Sequence, residues 1–217
     1  MKLHLRRILR EIEPYRQRVA TINPNHAALL AIDLQNYFSG IAQPVLENIR
    51  EAIETCRRAA IPILFTQHGH SDRARDGGML ARWWDQLIME GTEDWKFLPE
   101  ISVESHDIVL PKKRYSAFVD TDLDKALRSR GIQDVIISGV MTNLCCETTA
   151  RDAFMRDFRV FFLIDGTATA SVELHVASVK NLGYGFAYLL TCHELVDMLT
   201  KMDGGTDPKR AGLVRGV

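Results

Sequence analysis

From Ala27 onward, short apolar runs alternate with segments of helical period, and no other feature of this chain restricts its fold as tightly. The runs Ala27–Ile32, Ile61–Thr66, Asp107–Leu110, Val135–Gly139, Val160–Ile164 and Ala187–Thr191 are each about strand length and largely apolar. Strands covered by helices on both faces read this way, because neither face meets water. Between them, Val45, Ile49, Ile53 and Cys56 recur at helical spacing after Pro44, and helical patterns also run over Thr121–Arg130, Thr142–Phe158 and Val172–Leu182. Repeated strand, helix, strand units predict an α/β fold, a three-layer αβα sandwich around a mainly parallel six-stranded sheet.

The 217 residues suit one core of ordinary size. The domain is expected over 23–202. An N-terminal amphipathic helix and lead-in (1–22) precede it, with Leu5, Ile8, Leu9 and Ile12 on one face. A flexible tail (203–217) opens on Gly204 and Gly205. Twenty-seven Lys and Arg against 28 Asp and Glu leave a net charge of −1, too little field to hold a phosphate backbone or an anionic lipid surface. Nucleic acid and membrane are thus poor partners, and a small molecule is the expected one. Cys56, Cys145, Cys146 and Cys192 form no CxxC pair, so disulfides and structural zinc are not expected and the compartment reads as reducing cytoplasm. No GxGxxG opens the first helix and no Walker motif occurs, so no cofactor is expected.

In open parallel sheets, ligands sit beyond the carboxyl ends of the strands. Asp33 closes the first strand, Lys112 follows Leu110, and Cys145 comes just past Gly139 and Val140. With Thr142 as N-cap, Cys145 falls in the first helical turn, where free N–H groups and the helix dipole favour a thiolate, so that position alone would activate it. Cys146 shares a stripe with Ala150 and Ala153, which suits packing, whereas Cys145 aligns with Thr149 and Asp152. Periodicity alone leaves catalysis and inert burial both open for Cys145.

Three motifs carry a resemblance: Asp33-Leu-Gln-Asn-Tyr-Phe38, Lys112-Lys-Arg-Tyr-Ser-Ala-Phe118, and the run from Ser138-Gly-Val-Met-Thr-Asn-Leu-Cys145 to Asp157. In this order, over roughly Ala27 to Leu199, the chain resembles the isochorismatase-like cysteine hydrolase superfamily and its fold. The resemblance implies a triad of Asp33, Lys112 and Cys145, with spacing to Tyr-Ser-Ala-Phe selecting Lys112 over Lys113, a solvated neighbour. It implies a cis peptide between Val140 and Met141 and an oxyanion hole from the Met141 and Cys145 N–H groups. It places Tyr37, His68, Trp84, Tyr115, Phe118 and Met141 at the substrate pocket, with Tyr37 and Phe118 equally open to core packing. It also implies a homo-oligomer, for which the N-terminal helix is a candidate contact.

Nicotinamidases of this superfamily bind metal through an Asp and a His where this chain has His68 and His70. The later His-x-Ser-Phe ligand pattern is absent, so no metal is expected. The implied activity is hydrolysis of an amide-type C–N bond through a Cys thioester. The alternatives are vinyl-ether hydrolysis of the isochorismatase type, releasing pyruvate, and a catalytically silent binding protein. True isochorismatases commonly carry Gly at Cys145, Gln at His68 and Tyr at Met141, and these departures disfavour the second chemistry.

Overall fold

Each apolar run forms a strand, and the computed structural model describes residues 2–203 of the chain. The strands are β1 (Ala27–Ile32), β2 (Ile63–His68), β3 (Ile108–Lys112), β4 (Asp134–Val140), β5 (Arg159–Ala168) and β6 (Tyr188–Leu190). They pair in the order β3-β2-β1-β4-β5-β6, and every pair is parallel. The helices are α1 (Lys2–Ile12), α2 (Ser39–Ala42), α3 (Leu46–Arg58), α4 (Arg73–Asp76), α5 (Gly78–Trp83), α6 (Leu123–Arg128), α7 (Glu147–Met155), α8 (Val172–Gly185) and α9 (Cys192–Asp203). The expected tail lies outside the described residues, apart from Asp203 at the end of α9.

Alternation along β1 shows why the sheet is covered twice. Ala28, Leu30 and Ile32 pack with Leu127 of α6, Ala150 of α7 and Val179 of α8, while Ala27, Leu29 and Ala31 pack with Ile49 of α3 and Leu195 of α9. Helix α1 ends at Ile12, where Pro14 follows in a 3₁₀ turn, Glu13–Tyr15. Its Ile12 is fully buried in the core, with Ile8 and Leu9 packed against the same cluster. Glu11 lies 3.5 Å from Lys180 on α8, so this face covers the chain's own domain.

Strand order reverses between β1 and β4, which opens a crevice at their carboxyl ends. There Ile32 pairs with Gly139, and a Cβ on Gly139 would stand 2.1 Å from the Ile32 carbonyl oxygen. With its φ of +119°, this position requires glycine. Neighbouring β2 and β3 place His68 opposite Lys112. Among the described residues, no helix is long and apolar enough to cross a membrane.

Candidate active site

Four strand ends deliver the polar groups of the crevice. Asp33 follows β1 in the left-handed region, with φ of 49°, a conformation rare for a residue with a Cβ and one that clusters at functional sites. Thr66 of β2 holds it there: the Asp33 N–H donates to Thr66 Oγ1 at 3.0 Å, and that hydroxyl donates to Asp33 Oδ1 at 2.6 Å. Thr66 was not singled out from the sequence, although it is a hydroxyl inside an otherwise apolar strand.

The Lys112 ammonium lies 2.8 Å from Asp33 Oδ2 and 3.4 Å from Cys145 Sγ, and it donates to the Arg114 carbonyl at 2.9 Å. Both side chains of the ion pair are fully buried. Burial opposes the charge on Lys112, but the Asp33 carboxylate and then the Cys145 sulfur outweigh it and raise its pKa. Carboxylate, ammonium and sulfur, scattered along the sequence, thus form one cluster.

The turn carrying the sulfur differs from the sequence reading. Residues Thr142–Cys146 form a π turn ahead of α7, and Thr142 makes no capping bond. Its hydroxyl instead lies 3.0 Å from Nδ1 of His175 on α8. Burial lowers the His175 pKa to about 4. The peptide between Val140 and Met141 is cis.

Position alone does not activate the thiol. Burial pushes the Cys145 pKa up to about 12, with the Lys112 ammonium lowering it and Asp33 raising it. Cys146 is fully buried against Ala150 and Ala153, and burial raises its pKa well above the ordinary thiol value.

A cavity of about 100 Å³ opens over Cys145. Tyr37, His68, Trp84, Tyr115 and Met141 line it, together with Phe38, Leu80, Gln86, Leu87, Ile88 and Leu144, which sequence reasoning did not identify. Leu80 to Ile88 belong to a strap between β2 and β3 that has no regular period. The indole N–H of Trp84 donates to the Tyr115 hydroxyl at 2.8 Å and ties the strap to the loop after β3. Arg73 donates to the Trp84 and Asp85 carbonyls at 3.0 Å each and closes the end of α5.

Two further expectations need correction. Phe118 does not line the cavity: it is buried in the core and stacks on Phe158 with ring centroids 6.0 Å apart. Lys113 is not merely solvated, because it pairs with Asp76.

His68 and His70 stand with rings edge-to-face and centroids 5.1 Å apart. The His70 Nδ1 lies 3.3 Å from Asp76, whose carboxylate already accepts from the Ser71 N–H and hydroxyl and pairs with Lys113. These donors do not fit a metal centre. Among the described residues, no group of three or more His, Cys, Asp or Glu side chains is arranged to hold a metal ion.

The model of one family, the isochorismatase domain, matches residues 27–194. The chain belongs to the isochorismatase family. It is a hydrolase with the isochorismatase-like fold. A nicotinamidase of Arabidopsis thaliana (nicotinamidase 3) is 48% identical to this family member over 83% of this chain and 92% of its own length. A ureidoacrylate amidohydrolase of Enterobacter sp. (strain 638) is 33% identical over 86% of this chain and 95% of its own. The crystal structure of a cysteine hydrolase from Pseudomonas syringae pv. phaseolicola 1448A superposes with a TM-score of 0.81, covering 84% of this chain and 96% of that one. At 24% identity, that likeness speaks for the fold alone.

Proposed function

We propose that this isochorismatase-family hydrolase cleaves the C–N bond of a small amide through a thioester on Cys145. The observation that carries the reading is the Lys112 ammonium, within 2.8 Å of the Asp33 carboxylate and 3.4 Å of the Cys145 sulfur. The names of the nicotinamidase and the ureidoacrylate amidohydrolase support the same bond type.

With substrate in the cavity, Asp33 takes the proton of the Cys145 thiol while Lys112 balances the charge that appears on sulfur. The thiolate attacks the carbonyl carbon. The resulting oxyanion accepts hydrogen bonds from the Met141 and Cys145 N–H groups, the donors proposed for an oxyanion hole. Collapse of this adduct breaks the C–N bond, and protonated Asp33 gives its proton to the departing nitrogen. Asp33 then deprotonates a water that attacks the thioester. The acid leaves, and the proton on Asp33 returns to sulfur.

A vinyl-ether hydrolase needs no nucleophile, so a sulfur on the cavity floor favours the amide reaction. Rapid quenching of the enzyme with nicotinamide, followed by mass spectrometry of the peptide containing Cys145, tests the reading. An acyl adduct on Cys145 that disappears in Cys145→Ala is expected. Turnover without an adduct, retained in Cys145→Ala, would overturn it.

A further inference from the structure

The strap that walls the cavity is fastened, at both ends of its helical part, to one short loop. At the end of α4, one oxygen of the Asp76 carboxylate accepts from the Ser71 N–H at 3.0 Å and the Ser71 hydroxyl at 2.8 Å, and it pairs with the Lys113 ammonium. Nδ1 of the buried His70 lies 3.3 Å from the other oxygen. The Asp76 carbonyl accepts from the Arg114 guanidinium at 2.8 Å. Past α5, the Trp84 indole reaches the Tyr115 hydroxyl. Lys113, Arg114 and Tyr115 are consecutive, and they directly follow Lys112.

Charge and backbone both suit this fastening. Burial opposes the charge on Asp76, but the Lys113 ammonium and then Ser71 outweigh it and hold the carboxyl well below the usual carboxylate range. The two side chains are 12% and 40% exposed, so water screens the pair only in part. Gly78 has a φ of +56°, and a Cβ there would stand 2.9 Å from Arg114 Nη2, so bare backbone lets the guanidinium cross to the Asp76 carbonyl.

Between the two fastenings lies α5, which has six residues and a single buried side chain, Leu80. Met79 and Trp83 of the same helix are exposed. So short a helix is not held by its own propensity, and one buried leucine gives it little packing. Its place over the cavity, which Leu80 and Trp84 line, therefore depends on the contacts at its two ends.

We propose that Asp76 is a positioning residue for substrate binding: paired with Lys113, it latches α5 over the cavity, so that Leu80 and Trp84 stand as a fixed wall before a ligand arrives. That the ligand is an amide rests on the proposed function, whereas the latch rests on contacts outside the reacting cluster.

Hydrogen exchange of the full-length protein, read by mass spectrometry on peptides covering Arg73 to Trp84, measures how often α5 opens. Asp76→Asn keeps an oxygen for Ser71 and loses the charge. This variant and Lys113→Met should each speed exchange there about fivefold or more, while peptides of β1 and β4 exchange as in the wild type. The double variant should go no further than either single one, because both remove the same pairing. Lys113→Arg, which keeps the cation, should stay within about twofold of wild type. With nicotinamide as the probe, KM should rise about fivefold in both single variants, kcat should change less than about twofold, and Lys113→Arg should keep the wild-type KM. Unchanged exchange in either single variant, additive effects in the double, equal acceleration in β1 and β4, or a KM indifferent to a loosened strap would overturn the assignment. Wild-type protein that fails to turn nicotinamide over would count against the proposed function, and the exchange rates would still decide the latch.

Discussion

The hydroxyl of Thr142 and the imidazole of His175 meet at 3.0 Å, which fixes the start of the turn holding Cys145 to a helix more than thirty residues downstream. A neutral, buried histidine thereby joins helix and turn. Thr142→Val should leave that nitrogen unpaired and lower stability by about 1–3 kcal/mol in urea unfolding. His175→Gln, which can still accept from Thr142, should lose less.

The same ring predicts a pH dependence. Its pKa is about 4 in the fold, below the ordinary value of 6.5, so between these values the unfolded chain binds more protons. Stability is therefore fully present above about pH 6.5 and declines as pH falls toward 4. His68, lowered to about 3, acts in the same direction. Urea midpoints measured from pH 7.5 to 4.5 should fall, and His175→Gln should flatten the slope. A flat wild-type profile would contradict the buried, neutral assignment.

Removing one member of the buried pair leaves the other uncompensated. Lys112→Met should destabilise by about 3–5 kcal/mol and abolish turnover. The double variant Asp33→Asn/Lys112→Met should recover much of that stability, because no lone charge remains buried, yet stay inactive. Recovery of activity along with stability would show the pair to be purely structural.

The resting thiol should be sluggish. With the Cys145 pKa near 12, iodoacetamide should label it slowly at pH 7 and progressively faster as pH rises toward 10. Rapid labelling at pH 7 would instead show a standing thiolate beside Lys112. Cys146→Ala should keep most of the activity, because that side chain is fully buried in the core cluster.

Trp84→Phe removes the 2.8 Å bond to Tyr115 while keeping an aromatic ring on the wall. KM should rise about fivefold, the worth of roughly one hydrogen bond, with kcat changed less. Phe118→Leu serves as a contrast: it should lower the melting temperature and leave KM alone, because its ring packs on Phe158.

Local pattern exposed the layers of this fold because buried parallel strands read as apolar runs, and it brought Asp33, Lys112 and Cys145 to strand ends in sequence order. The site details it missed are set by contacts distant along the chain. Thr142 reads as a cap until His175 is seen to claim its hydroxyl, and Thr66 reads as strand filler until Asp33 turns back onto it. Strand β5 extends to Ala168, beyond its apolar run, because its pairing with β4 shifts register between Ile137 and Gly139. Phe118 belongs to a wall-lining motif by position, yet its ring faces the layer of α7, a matter of direction that spacing does not encode.

Sulfur, ammonium and carboxylate all leave from ends of the sheet, whereas Leu80, Trp84, Leu87 and Ile88 come from a single interruption between β2 and β3. About half of the cavity wall is thus carried by a stretch separate from those that bring Asp33, Lys112 and Cys145 together. Exchange of that interruption would offer the same reacting atoms a differently shaped guest, so diversification of diet can proceed without rebuilding the chemistry.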